Sequence, residues 1–296
     1  MRSSSIESST ERENCSSENK ISAGNGSHCS GTVTVIGIGP GHREEMTERA
    51  VHAIESSEVI VGYHTYLSLV KDMIGDREVV GTGMREEIER CRRAVELASE
   101  GKKVAVVSSG DPGVYGYGRS GAGTGAETSG GAEAGVRNYS GTDGSSTAAG
   151  ILGAPLMHDY AVISLSDLMT PWDLIQKRAR LAAEGDFVIA LYNPKSRERA
   201  SYLDQIRDIV MQFRKPETPV GIVRKAGRPG MNYTLTTLKD LPSQPVDMQS
   251  TVIIGNSQTY VEDGRMITPR GTVCDLGHCG DQGRQGNCRV AGRPFS

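Results

Sequence analysis

Cysteine is scarce and badly placed for cross-linking. Six occur in 296 residues: Cys15, Cys29, Cys274, Cys279 and Cys288 lie near the ends, and only Cys91 sits well inside. A chain of this length can build a core without disulfides, and this distribution offers no framework for them. The Cys274-x4-Cys279-x8-Cys288 run with His278 misses the short cysteine pairs of zinc knuckles, so no metal is expected. Aromatic residues make up only 5% of the chain. No apolar run approaches the roughly 18 residues that a membrane helix needs. Neither sign of charge dominates: the net charge of −3 provides no basic field for nucleic acid. The amino terminus lacks the apolar core of a signal peptide, and a cytoplasmic location is expected.

Two end segments, 1–31 and 272–296, are also poor in apolar residues and read as disordered tails. Between them, apolar runs alternate with amphipathic stretches. Val33–Ile36, Val59–Val61 and Val104–Val107 read as buried strands; Met46–Ile54 and Met84–Glu100 read as helices between them. Further along come strands at Ala161–Leu165, Phe187–Leu191, Val220–Val223, Tyr233–Thr237 and Thr251–Ile254. Helices are expected from Thr170, as N-cap with Pro171 at the first position, and over Tyr202–Phe213. The pattern predicts an α/β protein with two domains, 32–157 and 158–271, hinged near Leu156–Tyr160, each a mixed sheet flanked by helices.

Three loops carry the chemistry. Gly37-Ile-Gly-Pro-Gly41 follows the first strand but departs from a dinucleotide fingerprint. His42 stands where a third glycine belongs, and Pro40 removes a backbone donor. Ser108-Ser-Gly-Asp-Pro-Gly113 places Asp111 at a strand's carboxyl end on a stiff turn. That suits a ligand with a positive centre or several hydroxyls; the plainer reading makes Asp111 a helix N-cap. Arg224-Lys-Ala-Gly-Arg-Pro-Gly230 gathers three cations that can clamp carboxylates, the plainer reading being a solvated basic loop. Together they imply an anionic substrate facing a second ligand in an interdomain cleft.

In this order the loops resemble the tetrapyrrole methylase family. The matching runs are Val35–Gly41, Val61–Tyr66, Ser109–Gly116, Leu152–Asp159, Ile163–Leu168, Leu191–Ser196 and Arg224–Arg228. The Leu-Ser-Asp-Leu and Tyr-Asn-Pro-Lys-Ser runs are similar to the branch that methylates carbon 17 of precorrin-3B or cobalt-factor III. The resemblance implies S-adenosylmethionine as methyl donor, a tetrapyrrole substrate, contraction of the macrocycle and a homodimer. By the same resemblance the donor would meet Gly110, Asp111, Val114, Tyr115, Tyr192, Asn193, Ala226, Gly227 and Thr237. The substrate would meet Gly37, Gly39, Pro40, Gly41, Arg224 and Arg228. No catalytic acid or base is assigned.

Between Tyr117 and Ser146 the likeness lapses. The family pattern has a helix beginning Met-Ala-Gly and then a strand ending Ile-Ile-Pro-Gly-x-Thr-Ala-Ala. Here six glycines (Gly118, Gly121, Gly123, Gly125, Gly130 and Gly131) occupy the helix positions. At about 1 kcal/mol each relative to alanine they oppose helix, and a long loop is expected. A one-base forward shift lets permitted codons of Tyr117–Gly125 spell Met-Ala-Gly-Ala-Gly-Leu-Val-Leu-Glu. The same shift lets Asn138–Ser145 spell Ile-Ile-Pro-Gly-Leu-Thr-Ala-Ala. A pair of compensating frame slips is one origin of this segment. The other is a true variant in which Ser140–Ser145 replaces the cofactor wall, giving an impaired or non-catalytic tetrapyrrole-binding relative.

Overall fold

The computed structural model describes residues 31–84, 86–116, 135–196 and 198–270. The expected tails, apart from Gly31, and most of the glycine-rich run lie outside these residues.

The first sheet is built from β1 (Thr32–Gly37), β2 (Val59–Tyr63), β3 (Glu78–Thr82), β4 (Lys103–Ser108) and β5 (Gly135–Tyr139). Its order is β3-β2-β4-β1-β5, and every pairing is parallel. Parallel strands bury both faces, which is why the central ones read as continuous apolar runs. Val33, Val35, Val59, Val61, Val104 and Val106 point to one face, against α4 (Glu87–Ser99). On the other face Ile36, Ile60, Ala105 and Val107 meet α1 (Glu48–Glu55), α2 (His64–Leu69) and α3 (Lys71–Ile74). Each fully buried valine or isoleucine here contributes about 1.5–3 kcal/mol. Thr47 caps α1, its hydroxyl accepting from the Ala50 amide at 3.2 Å.

Of the loop expected across 117–146, only 135–146 falls among the described residues, and it is largely regular. Gly135–Tyr139 pairs in parallel with β1, and α5 (Gly144–Leu152) begins soon after. An edge strand needs one row of backbone partners and little burial, so the polar Gly-Val-Arg-Asn-Tyr sequence is no obstacle. Asp143 then caps α5, its carboxylate accepting from the Ser145 and Ser146 amides.

The second sheet contains β7 (Tyr160–Ser164), β8 (Val188–Tyr192), β9 (Pro219–Arg224), β10 (Asn232–Thr237) and β11 (Ser250–Ile254), in the order β10-β9-β11-β8-β7. It is mixed: β7 and β8 run parallel, while β11 is antiparallel to both its neighbours. α6 (Trp172–Glu184) and α7 (Tyr202–Val210) cover one face. α5 covers the other, Ala148, Ala149 and Leu152 packing on Val188, Ala190, Val223 and Ile253. In packing terms α5 therefore sits with the second sheet. The chain crosses between layers at 140–143, ahead of the expected hinge at Leu156–Tyr160. Short strands β6 (Gly153–Ala154), β12 (Tyr260–Glu262) and β13 (Arg265–Ile267) form a small third sheet.

The N-cap of α6 is Pro171, with no side-chain cap, in place of the expected Thr170: its extended backbone (ψ 141°) delays helical geometry to Trp172. Trp172 stacks on Tyr202 with ring centroids 3.8 Å apart, and its indole N–H donates to Gln205.

Candidate active site

The carboxyl ends of β1, β2, β4 and β5 and those of β8 and β9 converge on one cleft of about 390 Å³. A volume of this order accommodates a single small ligand. Ligands of open α/β sheets bind at this edge because the loops there are free of helix packing.

The first sheet contributes mostly backbone. Gly39 and Gly110 form a reciprocal bridge: the Gly39 amide donates to the Gly110 carbonyl at 3.1 Å, and the Gly110 amide donates back at 2.9 Å. Below them a methyl group on Gly37 would meet the Gly110 oxygen at 2.6 Å, and one on Gly141 would meet it at 2.4 Å. Three turns can nest this closely only without side chains. Asp111 joins them, one carboxylate oxygen accepting from Gly113 at 2.6 Å and the other from Gly141 at 3.2 Å. It lines the cleft, but both oxygens already have backbone partners.

The second sheet contributes side chains. The Tyr192 hydroxyl donates to Asp143 at 2.8 Å and accepts from the Ser145 amide at 2.5 Å. Burial and the Asp143 carboxylate push the Tyr192 hydroxyl far above the usual tyrosine range. Burial also works to raise Asp143, but hydrogen bonds from Ser145, Ser146 and Tyr192 outweigh it and hold the carboxyl below its ordinary value. Tyr115, from the turn after β4, reaches across in the opposite sense. Its hydroxyl donates to the Val162 carbonyl at 3.0 Å and accepts from the Ser164 amide at 3.1 Å. Burial lowers the pKa of Arg228, with partial compensation from Tyr66; burial raises Tyr66 against the charges of Arg228 and Arg90.

Of the residues singled out in the sequence, Gly39, Pro40, Gly110, Asp111, Val114, Tyr115, Tyr192, Asn193, Ala226 and Arg228 line this cleft. Gly37 lies beneath it, and Gly41 (φ 116°) packs toward Leu69. Gly227 faces a neighbouring, more open hollow of about 560 Å³, which shares Thr142, Thr147 and Arg228 with the cleft. Arg224 lies outside the lining and is paired with Asp247 at 2.5 Å. Thr237 is opposite Pro219, at the far end of the β9–β10 pair from Arg224, and its hydroxyl donates to Asp240. The cleft adds Tyr63, Tyr66, Met84, Thr142, Asp143, Gly144 and the 248–251 segment. No spacing rule marks these residues, although Tyr63 and Tyr66 lie within the family-like run Val61–Tyr66 and Asp143 has a readable signal, an N-cap ahead of a small-residue helix.

Comparison with known proteins agrees with this fold. The family model for tetrapyrrole (corrin/porphyrin) methylases matches residues 32–242. A probable cobalt-factor III C(17)-methyltransferase of Salmonella typhimurium is 50% identical over 241 residues, covering 81% of this chain and 98% of that protein. The crystal structure of the methyltransferase CobJ superimposes with a TM-score of 0.76 at 33% identity, covering 81% of this chain and all of that one. A uroporphyrin-III C-methyl transferase from Thermus thermophilus, complexed with S-adenyl homocysteine, shares the fold. Its TM-score is 0.59 at 20% identity, over 76% of this chain and 92% of that one. An α/β fold of two sheets around one cleft, with these relatives, defines a methyltransferase. The chain belongs to the tetrapyrrole (corrin/porphyrin) methylase family.

Proposed function

We propose that this chain transfers a methyl group from S-adenosylmethionine to carbon 17 of a corrin precursor, precorrin-3B or cobalt-factor III, with contraction of the macrocycle. Following the resemblance, it does so as a cytoplasmic homodimer. The observation that carries the reading is the cleft itself, walled by Gly39-Pro40, Gly110-Asp111, Tyr192-Asn193 and Ala226. The name of the Salmonella relative supplies the substrate.

The residues present fit such a donor. Gly110 lines the cleft with a left-handed backbone (φ 66°) that favours glycine, and no atom lies within 3.8 Å of where its side chain would be, so this stretch of wall is open backbone. Gly110, Asp111, Val114, Tyr115, Tyr192, Asn193 and Ala226 would hold S-adenosylmethionine, which supplies an electrophilic methyl on a positively charged sulfur. Asp143 places a negative charge in the same wall, favourable to a cation in a partly desolvated site. With the methyl group already activated, the chain's task is to align two ligands and exclude water. The cleft of about 390 Å³ and the adjoining hollow of about 560 Å³ would together take the two ligands.

The test is mass spectrometry of cobalt-factor III incubated with the protein and isotope-labelled methyl donor. One added labelled methyl is expected. Absence of transfer, together with absence of donor binding by calorimetry, overturns the reading. Sequencing the gene decides the origin of 117–146: a shifted frame free of stop codons and spelling both family motifs establishes the frame slips.

A further inference from the structure

Arg228 has an unusual set of partners for a cleft arginine. Its Nε donates to the Pro40 carbonyl at 2.8 Å, and its Nη2 donates to the Ser109 hydroxyl at 2.5 Å. Both acceptors belong to the first sheet's loops, whereas Arg228 follows β9 of the second sheet. Pro40 and Ser109 each adjoin one half of the Gly39–Gly110 bridge, so a single guanidinium grips both sides of it. Arg224, at the start of the same loop, instead forms an ordinary ion pair with Asp247. Among the described residues no carboxylate pairs with Arg228.

The loop that carries Arg228 is shaped for this reach. Gly227 adopts φ 63°, and a methyl group there would stand 2.4 Å from the Pro40 side chain, so the two loops touch and only glycine fits. The Lys225 amide is tied to the Gln249 carbonyl, and the Arg228 amide donates to the Lys225 carbonyl at 2.9 Å. The turn is therefore braced on its own sheet before the side chain leaves it. The guanidinium is part-buried, and withdrawing it would take both bonds from the Pro40 carbonyl and the Ser109 hydroxyl.

We infer that Arg228 is a positioning residue: a strap that fixes the Gly39–Gly110 bridge of the first sheet to the second sheet, so that the two walls of the cleft keep one spacing. The role goes beyond the clamping of a substrate carboxylate that the three cations of this loop suggest. It rests on the methyltransferase reading only for its kinetic readout.

Hydrogen exchange of the ligand-free full chain tests it without any activity. Arg228→Ala removes both bonds and is expected to speed amide exchange in 38–41 and 109–113 roughly twenty-five-fold, at about five-fold per bond. Amides of β8 should be unchanged. Ser109→Ala removes one bond and leaves the fold in place; it should speed the same segments about five-fold, and it decides the matter if Arg228→Ala does not fold. In the methyl-transfer assay the strap predicts that kcat falls more than donor affinity in Arg228→Ala, because alignment is lost. Unchanged local exchange in both variants, or a raised KM at normal kcat, overturns the strap in favour of a ligand clamp. A wild-type protein that transfers no methyl group sinks the functional reading alone and leaves the exchange result to stand.

Discussion

The two sheets wall the same cleft by opposite means. The parallel sheet offers turns with few side chains: Gly37 and Gly141 let loops nest at distances no Cβ tolerates, and Gly39 and Gly110 take the left-handed backbone of the bridge, φ 57° and 66°. The mixed sheet offers side chains that reach out, with Tyr192 seizing the start of α5 and Arg228 seizing the first sheet's bridge. One wall is defined by what is missing and the other by what projects. Damage to the first should therefore appear mainly in stability, and damage to the second in alignment and chemistry.

The largest effect should come from filling the bare wall. Gly37→Ala or Gly141→Ala sets a methyl against backbone at 2.4–2.6 Å, and backbone cannot rotate away. A loss of about 3 kcal/mol or more is expected, read as a lower denaturant midpoint. A change below 1 kcal/mol would show that the loops are looser than their spacing implies. Next is Tyr192→Phe, which deletes the bonds to Asp143 and to the Ser145 amide. A cost of about 1–2 kcal/mol is expected, with a larger fractional fall in methyl transfer than in fold stability.

Acid should sharpen the contrast further. The folded carboxyl of Asp143 is held below its ordinary pKa, so its contribution is present above the unfolded value, near about 3.9, and is lost as pH falls through the folded value. Asp143→Asn should narrow the stability gap between about pH 6 and pH 2.5, measured by urea titration at each pH. An identical gap in the variant would deny the carboxylate this role. The smallest effect belongs to Arg224→Ala. Its pair with Asp247 is about two-fifths exposed on each side, and the loss should stay under about 1 kcal/mol, well short of what Arg228→Ala costs.

Buried strands such as Val104–Val107, Phe187–Leu191 and Val220–Val223 could be read because two covered faces demand unbroken apolar runs. β3 and β5 could not: Glu78-Val-Val-Gly-Thr82 and Gly135-Val-Arg-Asn-Tyr139 lie at sheet edges, where backbone pairing suffices and composition carries little signal. The packing of α5 on the second sheet was equally hidden, since its small apolar face fits either layer. In the cleft, glycine and proline at strand ends marked the turns around Pro40 and Asp111. Asp111, read as part of a ligand site, lines the cleft while its two carboxylate oxygens accept from Gly113 and Gly141. Which of two arginines four residues apart reaches the other sheet depends on the Gly227 turn, a tertiary fact without local signature. Tyr66 and the 248–251 segment arrive by long-range pairing alone.

The single tryptophan is a window on one half of the molecule. Stacked on Tyr202 beneath the second sheet, Trp172 reports the melting of that layer and is remote from the first. An emission curve excited selectively at tryptophan follows the mixed sheet; the selectivity is needed because tyrosines lie in both layers. Agreement between that curve and far-ultraviolet circular dichroism, which sees both layers, would mean that the two halves unfold together, whereas separate midpoints would measure how firmly they are coupled.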